Sequence, residues 1–119
     1  MDPLYREIIL EHWQNPLNFG IIKNADIDVE EKNPLCGDTI RLTIKTENGR
    51  IKKILFSGEG CAISRASASL FTEEIRGESL EAIKKIKDQD VLDLLAIELT
   101  PARVKCALLI FNTVKKAIV

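Results

Sequence analysis

Two stretches of alternating residues meet at Asn48-Gly49, and this junction limits the fold more than any other feature of the chain. From Thr39 to Thr46 the apolar residues Ile40, Leu42 and Ile44 point one way, while Arg41, Thr43 and Lys45 point the other. Residues 51–57 return as a partner strand, with Ile54 and Phe56 on the apolar side. Asn and Gly both tolerate the positive φ of a type I′ turn, so the pair predicts a tight hairpin. A weaker alternation, Ile27 and Val29 among acids, predicts a strand ahead of it. The three together read as an antiparallel meander with one wet face.

Helical signals flank this sheet. Asp2-Pro3 reads as an N-cap followed by a first-turn proline, opening a helix to about Gln14. Tyr5, Ile8, Ile9, His12 and Trp13 share one broad face of it. Asn15-Pro16 ends that helix, and Gly58-Glu59-Gly60 breaks the sheet. A helix rich in small residues follows from about Ile63 to Arg76, stopped by Gly77. Short helical turns are expected at residues 79–86 and 90–96, and Thr100-Pro101 starts a last helix to about Ile118. This order predicts an α+β fold, a three-stranded antiparallel sheet with helices packed mainly on one face. At 119 residues the chain fits one domain, 1–119.

Composition removes several function classes. Seventeen Lys and Arg nearly cancel eighteen Asp and Glu, which leaves no basic footprint for nucleic acid. No apolar run is long enough to span a bilayer. The start is acidic and polar where a signal peptide would be basic and then apolar. A cytoplasmic protein with no membrane partner is therefore expected. Three cysteines is an odd number, which argues against a closed disulfide framework.

Each cysteine falls at a special place. Cys36 lies before Gly37-Asp38 in the loop that feeds the strand at Thr39, and a glycine there lets thiolate and carboxylate converge on one ion. Cys61 follows Gly58-Glu59-Gly60 at a helix N-terminus, which stabilises a thiolate. In the last helix Val104, Ala107, Leu108, Phe111, Val114 and Ile118 form the main apolar stripe. Cys106 is expected nearly opposite it, beside Ala102, Leu109 and Ile110. Spacing alone leaves two explanations open, because isolated cysteines are commonly inert core residues and no Cys-x-x-Cys pair is present. Asp38 by itself is equally a turn residue, and His12 equally a packed helix residue. A thiol enzyme with Cys61 as nucleophile would need a base, and His12 is the one histidine.

Taken together, Asn33-Pro34-Leu35-Cys36-Gly37-Asp38, Gly58-Glu59-Gly60-Cys61-Ala62-Ile63-Ser64 with Ala66-Ser67-Ala68-Ser69, and Val104-Lys105-Cys106-Ala107 resemble the U-type iron–sulfur cluster scaffolds (IscU, SufU and the N-terminal domain of NifU). Asn15-Pro16-Leu17-Asn18-Phe19-Gly20 is similar to another segment of that family, and the likeness covers essentially the whole chain. The resemblance implies a SufE/NifU-like fold and a metal site of Cys36, Asp38, Cys61 and Cys106. Lys105, and beside it Arg103, would offset the charge of that site. It also implies a transient 2Fe–2S cluster built from iron and the sulfur of a cysteine desulfurase, then passed to apo-acceptor proteins. The same site would accommodate zinc. The alternative is a zinc-bound sulfur acceptor that stimulates the desulfurase, with Cys106 or Cys61 receiving persulfide sulfur. Lys105 stands where the IscU branch has histidine and the SufU branch lysine. The interval from Cys61 to Cys106 is too short for the SufU insertion, and Leu99-Thr100-Pro101-Ala102-Arg103 departs from the chaperone-binding segment of IscU. An apolar rim of Leu35, Ala62, Leu109 and Ile110 is expected to face partners or a second copy in a homo-oligomer.

Overall fold

The computed structural model describes residues 3–34 and 37–118, with side chains from Arg6 onward. Helix α1 (Pro3–Gln14) precedes strands β1 (Ile27–Asn33), β2 (Asp38–Glu47) and β3 (Arg50–Ser57). Helices α2 (Ala62–Ile75), α3 (Leu80–Lys84), α4 (Asp88–Leu95) and α5 (Pro101–Ala117) follow. The expected N-cap Asp2 lies outside the described residues, as do Leu35 and Cys36. The sheet is antiparallel in the order β1-β2-β3. Asn48 and Gly49 take φ of 54° and 74°, the values the hairpin requires.

The core joins the apolar face of the sheet to α2 and α5. Ile40, Leu42, Ile44, Ile51, Ile54 and Phe56 pack there with Phe71, Ile75, Ile110 and Val114. A smaller cluster of Ile9, Ala66, Leu95 and Ala107 ties α1 and α4 to the same two helices. Ile51 and Ile54 are both buried although they are three residues apart. The register shift between Lys45 and Thr46 explains this, since Lys52 has no partner on β2 and forms a bulge that resets the side-chain alternation.

Three expectations change. The second face of the sheet is not uniformly wet, because Thr43 is buried at 1% exposure. Its hydroxyl accepts from Ile22 N at 3.0 Å, so the segment after α1 lies over this part of the sheet. The same segment caps the edge of β3, with Phe56 N donating to Asn18 O and Gly20 N to Phe56 O. Trp13, expected on the packed face of α1, is 40% exposed, and Leu10, Leu17, Phe19 and Ile21 are exposed with it. Cys106 does not sit opposite the buried stripe of α5. That helix packs against α2, α4, β1 and β2 at once, so Cys106, Ala107, Leu109, Ile110 and Phe111 are all buried. A helix enclosed on several sides has no single apolar stripe. Among the described residues no helix is long and apolar enough to cross a membrane.

Candidate metal centre

Asp38 opens β2, paired in register with Asn33 of β1. Gly37 just before it has φ of 72°, a conformation glycine adopts without steric cost, and its N–H donates to Asn33 O at 2.9 Å. Residues 58–61 are fastened to the same strand start. Thr39 N donates to Glu59 O at 2.7 Å, and Glu59 N to the Thr39 hydroxyl at 3.3 Å. Gly58 makes this approach feasible. Its φ is 125°, and a Cβ there would stand 2.2 Å from Thr39 O.

This strap delivers Cys61 to the N-cap of α2, where Sγ accepts from Ser64 N at 3.4 Å. The backbone N–H of Cys61 donates to Asp38 Oδ1 at 3.1 Å. Asp38 is only 4% exposed, and its Oδ2 finds no hydrogen-bond partner among the described residues. A buried carboxylate oxygen left in this state is costly, and donating its lone pair to a metal ion would offset that cost.

Thr100 caps α5 by accepting from Arg103 N at 3.4 Å, with Pro101 in the first turn as the sequence predicts. One turn further Cys106 is buried at 3% exposure. The ligand atoms of Asp38, Cys61 and Cys106 all lie within 4.8 Å of one another. Two soft thiols and one hard carboxylate at this spacing are a donor set that suits zinc or iron. Cys36, the remaining expected ligand, lies outside the described residues.

The cation beside the thiols is Arg103. The charge of the Cys61 thiolate, its hydrogen bond and then the Cys106 thiolate raise the pKa of the exposed guanidinium. A guanidinium stays charged at any pH the fold survives, so it is a permanent counter-charge. Its place, one helical turn before Cys106, is the signal by which its proximity to the thiols could be read. Lys105 is exposed, makes no hydrogen bond to Asp38, and lines a separate cleft with Lys32, Asn33 and Asn112. His12 Nδ1 lies 2.7 Å from the Ser69 hydroxyl, two turns along α2 from Cys61, so its described partner is not a cysteine. The expected apolar rim is not formed by Leu109 or Ile110, which are 5% and 0% exposed within the core. Ala62 is half-buried, and Leu35 lies outside the described residues.

A family model described as NifU-like N terminal domain matches residues 4–119. The chain belongs to this NifU-like family. It is 39% identical to the zinc-dependent sulfurtransferase SufU of Bacillus subtilis (strain 168), over 99% of this chain and 91% of that protein. It is 36% identical to the iron–sulfur cluster assembly scaffold protein IscU of Escherichia coli (strain K12), over 96% of this chain and 91% of that one. The Bacillus match runs over 135 positions and the Escherichia match over 118, so the added length lies on the Bacillus side. Among solved structures, the SufU assigned to scaffolding in the SUF system of Fervidobacterium islandicum AW-1 superposes with a TM-score of 0.80. It is 27% identical, over 95% of either chain. The NifU-like α+β fold, a three-stranded antiparallel sheet with its helices, is shared with that structure, while the sequence relatives are named for two different activities.

Proposed function

We propose that this chain is an iron–sulfur assembly scaffold, in which Cys36, Asp38, Cys61 and Cys106 hold a nascent 2Fe–2S cluster. A cysteine desulfurase supplies the sulfur, and apo-acceptor proteins take the finished cluster. The observation that carries this reading is the meeting of Asp38, Cys61 and Cys106 within 4.8 Å around a carboxylate oxygen that has no other described partner. Soft thiolates bond iron strongly, whereas the harder carboxylate oxygen is the weaker partner for a sulfide-rich cluster. A mixed set of this kind grips the cluster during assembly and leaves one bond that yields early. Four anionic ligands around a core of charge about +2 leave a net of roughly −2, which Arg103 offsets in part.

A second reading draws on the likeness to the Bacillus zinc-dependent sulfurtransferase. Here zinc, when bound by the same residues, keeps the thiols deprotonated. The Cys61 or Cys106 thiolate attacks the outer sulfur of a desulfurase persulfide. One S–S bond breaks as another forms, and the desulfurase thiolate leaves, so the transfer is redox-neutral.

Anaerobic reconstitution with iron, cysteine and a cysteine desulfurase separates the two. The scaffold reading expects the visible absorption of a 2Fe–2S centre, absent in Cys61→Ser and Cys106→Ser, and transfer of that centre to an apo-ferredoxin. Zinc that stays stoichiometric while desulfurase turnover rises selects the sulfur-acceptor reading. A chain that takes up neither metal refutes both.

A further inference from the structure

A cleft of about 290 Å³ lies between the end of β1 and α5. Lys32 from β1 and Lys105 from α5 both line it, with Asn112 as a further polar group and Pro34, Leu108 and Leu109 as an apolar wall. Neither lysine is in an ion pair among the described residues. The carboxylate nearest in sequence, Glu31, is taken by Lys116. Two lysines without an ion-pair partner among the described residues make the cleft electropositive, which favours a bound anion.

We propose that this cleft is a binding site for a small carboxylate carrying a short apolar stem, of amino-acid to tripeptide size. Its volume is at the lower end of ligand sites, which excludes larger cofactors. Phosphate is a poorer match. Lysine point charges bind phosphate as well as carboxylate, but inorganic phosphate has no apolar part to set against the wall of Pro34, Leu108 and Leu109. The wall gives the stem a place to be buried, and the lysines supply the counter-charge for the carboxylate. The site stands next to Cys106 in the chain but does not depend on which metal, if any, the thiols hold.

The test is titration of the ¹⁵N-labelled full chain with N-acetyl-S-methylcysteine, whose thioether cannot act as a thiolate ligand. Saturable amide shifts are expected at Lys32, Lys105, Leu108 and Asn112, weakening as salt is raised. Lys32→Gln and Lys105→Gln should each loosen binding by up to about fivefold, the range for an exposed charge pair. Both lysines are exposed, so the variants should keep the wild-type spectrum elsewhere. No saturable shift, or equal binding of inorganic phosphate, overturns the proposal. So does binding that survives the double variant but is lost in Cys61→Ser, because that pattern places the carboxylate on a metal in the neighbouring centre.

Discussion

At the hairpin end of β2 and β3, Asn48 and Gly49 turn the chain, and the next residues bond outward at once. Leu80 N donates to Gly49 O, and Ile51 N to Glu78 O. At the opposite end of the same two strands, Asp38 is buried with Oδ2 unpartnered among the described residues, and Gly58 runs against Thr39 O in a conformation closed to other side chains. One end turns for stability and is locally satisfied. The other holds an oriented carboxylate and a helix-capping thiol at a cost in folding energy. Functional groups kept in place by strain and burial usually stand on a scaffold stable enough to tolerate them.

The largest effect should come from breaking the scaffold. Leu42 is fully buried in the middle of β2, and Leu42→Ala should cost about 2–5 kcal/mol in chemical denaturation. Asp38→Asn in the metal-free chain should cost less than about 1 kcal/mol, because it keeps the acceptor for Cys61 N while removing a buried charge. A loss at Asp38 as large as at Leu42 would erase the contrast between scaffold and site. Gly58→Ala should fall between them, at about 1–3 kcal/mol, from a Cβ pressed onto Thr39 O. It should also weaken zinc binding in a competition assay, since the strap positions Cys61.

The smallest effect belongs to the exposed β1–β2 pair, where Arg41 Nη2 lies 2.8 Å from Asp28 Oδ2. The hydrogen bond from Arg41 holds the Asp28 carboxyl below its ordinary value of 3.8, against a weaker opposing effect of desolvation. A depressed carboxylate contributes fully above that value, and the contribution fades as pH falls below it. Asp28→Asn should therefore lower the melting temperature slightly at neutral pH and not at all in strong acid, measured as a thermal-melt difference across pH.

Much of this was legible because it is local. Asn48-Gly49, the Thr100-Pro101 start and the alternation of β2 each rest on chemistry within a few residues, and the structure places those elements accordingly. The burial of Cys106 was not, because helical periodicity assumes one covered face while α5 is enclosed by helices and sheet together. Thr43 was misread for a related reason, its cover arriving from Ile22, twenty-one residues earlier. The bulge at Lys52 was visible in retrospect, since Ile51 and Ile54 break a period of two. At the site, the cysteine motifs pointed to the Asp38, Cys61 and Cys106 positions and helical spacing set Arg103 one turn before Cys106, whereas the strap that unites Asp38 with Cys61 could not be read before the fold was known.

The pairing of Phe56 with Asn18 and Gly20 has a practical consequence for anyone shortening this chain. An open strand edge is a template for other chains, and proteins hide such edges or charge them. Here Asn18–Gly20 cover one stretch of the β3 margin and residues 77–80 another, while β1 carries the acids Asp28 and Glu30. A truncation that removes the first twenty residues would leave the metal ligands in the chain but uncover a hydrogen-bonding strand together with the ring of Phe56, which packs against Phe19. Such a fragment should assemble edge to edge into aggregates, so the leading segment works as a guard for solubility as well as a lid on the sheet.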